Sequence, residues 1–410
     1  MNFEKFVAKR LHGESNLKHS ISKPILKMAI AAVSISITVM ILSIATSKGL
    51  QNKISAKVTG FTSDIQISSL DLNNSLDANP FSADSTLINK LANLEGITYV
   101  QTQITKNALI KTAEDFEGVL VKGVGQNYNW NFISNHLVEG VVPSFTAQGK
   151  SNQIVISKAL ASKLQLKLND NAVTYFQGLK NNNALIRKFV IVGIFKTGID
   201  FFDNQYILAD QSHLQKINNW TNNQFSSLEI SLNSNADKAA IYQKIETISP
   251  FDSRVKSTKE MYPQIYDWIN LFDLNTLVIL LIMLIVATIN MVSSLLIIIL
   301  ERTKMIGLLK ALGASQYSIR KVFLYHAFYL LRKGLFLGNI IGLTLIGIQY
   351  YFEPLQLDPT HYYVSAIPVL LTLKNWMLIN SVTVLICMVI LIIPTLLLQK
   401  VEPVKALHYE

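Results

Sequence analysis

The chain has 410 residues, of which 50% are hydrophobic and 16% charged, with a formal net charge of +10. A soluble globular protein carries about 25% charged residues, and the deficit here is confined to long apolar runs near the start and in the last third, the distribution of a membrane protein. The surplus of base excludes a nucleic-acid reading rather than supporting one: the basic residues flank the apolar runs, and residues 49–270 hold roughly equal numbers of acids and bases, so no cationic stripe remains to follow a phosphate backbone.

Residues 1–24 are polar and basic and read as an amphipathic N-terminal segment. The first apolar run, Met28–Ala45, predicts a transmembrane helix over residues 25–48. It starts after some two dozen polar residues and is longer than the apolar core of a signal peptide, so it reads as an uncleaved anchor. Residues 49–270 then form a large domain. Alternation predicts strands at 64–70, 96–104, 109–112, 118–123, 153–156, 173–176, 189–195, 205–207 and 227–232. Helical patterns fall at 84–93, 158–164, 211–218 and 236–248, the last capped from the Asn-Ser-Asn stretch before it. Strands and helices mixed without strict βαβ order predict an α+β domain of two subdomains. With the only cysteine at Cys387, in the last apolar run, this domain has no disulfide and no cysteine-based metal site. Gly149-Lys150-Ser151 mimics the end of a phosphate-binding loop, but Ser144 stands where that loop needs a glycine, and the segment reads as a turn. No HExxH or GxSxG occurs, His136 and His213 stand alone, and no catalytic or metal-ligating residue is predicted.

A second span is predicted over residues 271–300, with Asn290 in its apolar stretch as an interhelical hydrogen-bonding group. Residues 301–321 form a charged loop holding a short amphipathic helix (Met305, Ile306, Leu308, Leu309, Leu312) stopped by Gly313. A helix of that kind lies on a membrane surface or docks in a partner's groove. The third span is predicted over 322–352. Gly334, Gly338 and Gly342 give it a small-residue packing face, and Asn339 is a second intramembrane amide. Residues 353–375 form a loop, 376–398 the fourth span with Pro394 as a kink near its end, and 399–410 the tail. Lys and Arg crowd the N-terminal segment, the 301–321 loop and the tail, whereas the 353–375 loop has only Lys374. Both termini and the 301–321 loop are therefore expected in the cytoplasm, and residues 49–270 and 353–375 outside it.

The segment ERTKMIGLLKALGAS (301–315) resembles the coupling helix of the FtsX/MacB/Lol-type ABC transporter permeases. The order of spans, QIVISKALASKLQLKLNDNAV (153–173) followed by FVIVGIF (189–195), LDPTHYY (357–363) and VEPVKAL (401–407) are similar to that family too. The 353–375 stretch and the absence of an attached ATPase domain look most like the lipoprotein-releasing LolC/LolE branch. The resemblance implies a MacB-like periplasmic core, a bacterial inner-membrane location, and no cofactor on this chain, with ATP and Mg²⁺ held by a cytoplasmic ATPase dimer. It further implies a second permease, alike or different, a lipoprotein client with a periplasmic carrier, and contact with membrane lipid. ATPase coupling would fall on Glu301, Arg302, Ile306, Gly307, Leu309, Lys310, Leu312 and Gly313. Two features depart from the pattern: Met305 stands where many members have Glu, and Arg332 and Lys333 stand where relatives are apolar. A MacB-like exporter subunit and an FtsX-like regulator of a cell-wall hydrolase remain alternatives.

Overall fold

A computed structural model describes residues 4, 6–7, 22–70, 78–112, 115–145, 150–178, 184–233, 236–358 and 362–396. The chain divides into two compact units: Met1–Asn52 with Ile269–Leu357 and Ala366–Glu410, and Lys53–Trp268 with Asp358–Ser365.

Among the described residues the first unit holds all or most of five principal helices: α1 (Ser22–Thr62), α2 (Pro263–Glu301), α3 (Thr303–Ala311), α4 (Gln316–Phe352) and α5 (Leu373–Ile390). Four segments among the described residues are long and apolar enough to cross a membrane: Pro24–Thr62, Pro263–Glu301, Gln316–Phe352 and Leu373–Thr395. Val33, Ile37 and Ile41 of α1 meet Ala287, Met291 and Leu295 of α2, Phe323 and Leu331 of α4, and Ile379 of α5 in one buried cluster. Three helices outrun the predicted spans, α2 by starting at Pro263. α1 continues to Thr62 because Ile54, Val58 and Phe61, spaced for one helix face, are all buried. α4 begins at Gln316, with Ser315 accepting from the Ser318 amide as its N-cap. The predicted kink near Pro394 takes the form of a break: α5 stops at Ile390, and a separate turn of helix, Ile392–Thr395, contains the proline, whose nitrogen cannot bond back to the Ile390 carbonyl.

Among the described residues the second unit holds twelve strands: β1 (Ile65–Ser69), β2 (Phe81–Ser82), β3 (Ile97–Lys111), β4 (Phe116–Val124), β5 (Leu137–Gly140), β6 (Gln153–Ser157), β7 (Asn171–Gln177), β8 (Ala184–Phe195), β9 (Tyr206–Asp210), β10 (Gln224–Phe225), β11 (Ser227–Leu232) and β12 (Ser253–Ser257). Ten of them form one mixed sheet, in the order β12-β1-β11-β3-β4-β9-β6-β8-β5 with β7 pairing both β3 and β8. The strands β3, β4, β9, β6, β8 and β7 therefore close on themselves, and both expected subdomains share this sheet. Inside it Ile104, Ile110, Val121, Ile156, Phe176, Phe189 and Ile191 are buried together with residues of the flanking helices.

The predicted strands 96–104 and 109–112 are one strand. The polar run Thr105–Asn107 continues β3 because β4 pairs with every residue from Gln103 to Lys111. The helix Lys238–Ile248 is capped by Asp237, which accepts from the Ala239 and Ala240 amides, and not by the Asn-Ser-Asn stretch. Asp84 and Ser157 cap the helices Ser85–Ala92 and Lys158–Lys163 in the same way. β12, with four polar residues in five, carried no alternation to announce it and is held by its pairing with β1.

Candidate coupling segment and helix-packing sites

α2 and α3 meet at the single residue Arg302, whose backbone leaves helical geometry (φ −99°, ψ 18°). Thr303 bridges the joint by donating its hydroxyl to the Leu300 carbonyl at 2.6 Å. Its other end is a complete Schellman stop: Gly313 has φ +88°, its amide donates to Lys310 at 3.0 Å, and the Ala314 amide donates to Leu309 at 2.9 Å. A side chain at 313 would strain the left-handed conformation that glycine takes freely.

The five apolar residues predicted as one face divide between two. Ile306 and Gly307 are buried, and Met305 and Leu309 pack against the same helical core. Leu308 and Leu312, one turn apart, point the other way and are 52% and 75% exposed. Exposed Lys304 lies one turn before Leu308 on that face, and Glu301 and Gly313 are exposed, whereas Arg302 and Lys310 are half-buried. Of the predicted coupling residues, Ile306, Gly307 and Leu309 thus seat the helix, and Leu312 faces away from the core. Leu308, absent from that set, joins Leu312; the 3.6-residue period places both on one side, a signal that counting apolar residues alone had blurred. Met305 is apolar because its side chain packs inward.

The glycines of α4 lie against α1. A β-carbon at Gly334 would come 2.7 Å from Val33 Cγ1, and one at Gly338 would come 2.7 Å from the Ser34 carbonyl oxygen, whereas one at Gly342 meets Ile41 at an ordinary 3.4 Å. The close approach allows Ser34 Oγ to donate to the Gly334 carbonyl at 3.0 Å and Thr38 Oγ1 to the Gly338 carbonyl at 3.1 Å. This stripe packs two helices of one chain.

Asn290 corrects its prediction. Its side chain is exposed and donates to Val286 in its own helix at 2.8 Å, so it makes no interhelical bond among the described residues. Asn339 does: it exchanges amide bonds with Asn380 at 2.7 and 3.1 Å, and its Oδ1 accepts from Trp376 Nε1 at 2.6 Å, joining α4 to α5.

The large domain holds a fully buried ion pair that the sequence reading missed. Lys122 Nζ donates to Glu229 Oε1 at 2.7 Å and to the Phe61 carbonyl at 2.8 Å, in the last turn of α1. That carbonyl belongs to the negative end of the helix dipole, which favours a cation. Gln101 donates to the other oxygen of Glu229 at 2.7 Å, and the Phe61 and Tyr128 rings face the ammonium. Burial pushes the Glu229 carboxyl up, against the opposing pull of Lys122. The signal available was a lysine inside the apolar strand VLVKGV. Nearby, Thr258 donates its hydroxyl to the Ser63 and Asp64 carbonyls at 2.6 and 2.8 Å just beyond the helix end.

In the phosphate-loop mimic Lys150 and Ser151 lie in no regular element; the Ser151 amide donates to Asp210 Oδ2 at 2.9 Å, and a carboxylate at that point repels an anion. Gly149 lies outside the described residues, as do the VEPVKAL tail segment and most of residues 1–24. Between α4 and α5, Asp358–Ser365 belongs to the compact unit of the large domain. There the Tyr363 carbonyl accepts from Lys57 Nζ at 2.8 Å and its ring meets Trp268 edge-on.

Two family models match the chain: the MacB-like periplasmic core domain over residues 28–248 and the FtsX-like permease C-terminal domain over 277–403. Among curated proteins, the lipoprotein-releasing system transmembrane protein LolC of Neisseria meningitidis is 21% identical, covering 93% of this chain and 94% of that protein. The LolC of Buchnera aphidicola is 22% identical over 79% of each chain. Among solved structures, the extracellular domain of the noncanonic ABC-type transporter YknZ covers 47% of this chain at 17% identity with a TM-score of 0.33. The periplasmic region of MacB from Actinobacillus actinomycetemcomitans covers 52% at 11% identity with a TM-score of 0.36. A MacB-like core matched over more than half the chain, followed by an FtsX-like C-terminal domain, makes this chain a permease subunit of the FtsX/MacB/LolC family of ABC transporters.

Proposed function

We propose that the chain forms one half of a two-permease core, docks a cytoplasmic ATPase dimer through residues 301–315, and transmits nucleotide-driven motion to its large domain. The work done there is the release of lipoproteins from the inner membrane to a periplasmic carrier. The chain itself binds no cofactor; ATP and Mg²⁺ belong to the ATPase. The observation that carries this reading is the outward Leu308–Leu312 pair on a helix fixed at both ends, by Arg302–Thr303 and by the Gly313 stop. Two exposed leucines one turn apart on a short rigid helix are the anchors a hydrophobic groove accepts. The similarity to proteins named as lipoprotein-releasing, over nearly the whole chain, supports the client class.

Leu312→Asp is expected to lower ATPase-driven lipoprotein release on the order of tenfold or more, as loss of a central interface anchor does, while membrane insertion and thermal stability stay unchanged. Leu309→Asp places a charge against the helical core and acts through stability instead. Depletion of the chain is expected to strand outer-membrane lipoproteins in the inner membrane. Correct sorting after depletion, with drug or peptide efflux lost, would move the assignment to an exporter.

A further inference from the structure

Arg332 and Lys333 interrupt the apolar sequence of α4, and both side chains are exposed. No ion pair or hydrogen bond of either is found among the described residues. They sit at one end of a stripe down a single helix face: Tyr329, Arg332 and Lys333, then Phe336 and Leu337, then Ile340, at the three- and four-residue steps that stack side chains on a helix. The face opposite is the glycine stripe packed on α1. Along the outward face the character changes once, from cationic to apolar; Phe336 and Leu337 are 66% and 45% exposed.

A cavity of about 560 Å³ opens on this stripe, lined by Tyr329, Arg332, Lys333, Phe336 and Leu337, with Ile30 of α1 closing it from the second helix. That volume falls within the roughly 300–1,000 Å³ range of small-molecule sites. Its depth in a bilayer follows from helix length. From Lys333 to the end of α4 at Phe352 the helix rises roughly 30 Å, one hydrocarbon thickness. Exposed Tyr350, Tyr351 and Phe352 mark the far interface, where aromatic rings are favoured. With that end fixed, the two cations lie at the phosphate level of the other leaflet, and Phe336 and Leu337 lie just inside the hydrocarbon.

We infer that this cavity binds an anionic phospholipid, its phosphate between Arg332 and Lys333 and an acyl chain along Phe336 and Leu337 against Ile30. Charge complementarity selects the headgroup: a guanidinium forks onto phosphate oxygens and an ammonium adds a point charge. The cation-to-apolar sequence of the stripe matches the head-to-tail sequence of one lipid molecule. Basic pockets between transmembrane helices take such headgroups elsewhere. A lone pair of interfacial cations would only snorkel to water; the cavity beneath them, walled by a second helix, makes a seat.

The test is native mass spectrometry of the full-length chain in detergent, titrated with phosphatidylglycerol or phosphatidylcholine. Retention of phosphatidylglycerol over phosphatidylcholine is expected, with no displacement by millimolar inorganic phosphate. Arg332→Gln and Lys333→Gln are each expected to weaken retention about fivefold, and the pair about 25-fold, on the usual worth of a basic residue at an anionic surface. Phe336→Ala is expected to weaken it with no change of charge, while Lys304→Gln, which removes an exposed cation elsewhere, leaves it intact. Equal retention of both lipids, undiminished binding by the double variant, or an equal loss with Lys304→Gln overturns the site. Displacement by inorganic phosphate, or saturation of the cations by an acidic segment of a co-purified permease, overturns the lipid as its occupant. All of these substitutions are at exposed positions, and an unchanged circular dichroism spectrum confirms the fold of each variant.

Discussion

Lys122 and Glu229 remove two charges from water at the end of α1, and each satisfies the other through short, charge-assisted bonds. Such a pair is costly to break from one side, because the partner left behind is buried without compensation. Lys122→Met is expected to destabilise the domain by about 3–5 kcal/mol, and Lys122→Met with Glu229→Leu to recover much of that loss, as replacement of buried pairs by apolar residues does. Thermal unfolding of the full chain in detergent measures both. His213 gives a second prediction. Burial holds its imidazole below the ordinary value, and its Nε2 lies 3.1 Å from the Ser151 carbonyl, with Asp210, Arg187 and Lys150 as the charges around it. A native pKa below the unfolded one means that the unfolded chain takes the proton first. The contribution of His213 is therefore complete above about pH 6.5 and declines as pH falls from there toward the lowered native value. His213→Asn is expected to flatten that part of a stability-versus-pH curve.

At the scale of elements, the α1–α4 contact sets a graded expectation. Gly338→Ala drives a methyl into the Ser34 carbonyl, a backbone atom that cannot swing aside, whereas Gly342→Ala meets Ile41 at contact distance. Gly338→Ala is expected to lower the unfolding temperature of the membrane unit and Gly342→Ala to leave it near wild type; equal effects would contradict the packing described. The glycine spacing was legible because a four-residue step is a helix face. Which helix it faces was not, since Val33, Ser34 and Ile37 carry no mark of it in sequence. Asn290 and Asn339 show the same boundary. Both are single amides in apolar runs, and only the position of Asn380 and Trp376 in space separates the bonded one from the exposed one. The caps Asp84, Ser157 and Asp237 went unread in sequence, whereas the stop at Gly313 was readable because a cap acts within one turn of chain. The continuity of β3 was not, because pairing with β4 outweighs the polar run Thr105–Asn107.

For the whole molecule, Asp358–Ser365, in the turn between α4 and α5, groups with the large domain in one compact unit, as expected if both lie on one side of the membrane. The distribution of Lys and Arg leads to the same arrangement. Ser144 in the large domain and Ser315 after α3 are both exposed, and the native Cys387 is buried. Ser144→Cys is expected to react with a membrane-impermeant maleimide in spheroplasts, and Ser315→Cys only after permeabilisation; the reverse pattern would invert the topology. Length and composition alone sufficed to find the four long apolar helices, since crossing hydrocarbon demands a run that nothing else requires. The order of strands in the sheet was beyond that reading, because β4 meets β9 and β3 meets β7 across long stretches of chain.

The closed run of strands also limits how a second copy can meet this domain. Eight of the ten strands have neighbours on both sides, and the sheet's open margins fall at β5, only four residues long, and β12, which carries Arg254 and Lys256. Short or charged margins discourage strand addition. Recognition of another permease by this sheet is left to side chains, whose sequence can drift to fit a like or an unlike partner without disturbing the hydrogen bonds that hold the domain together.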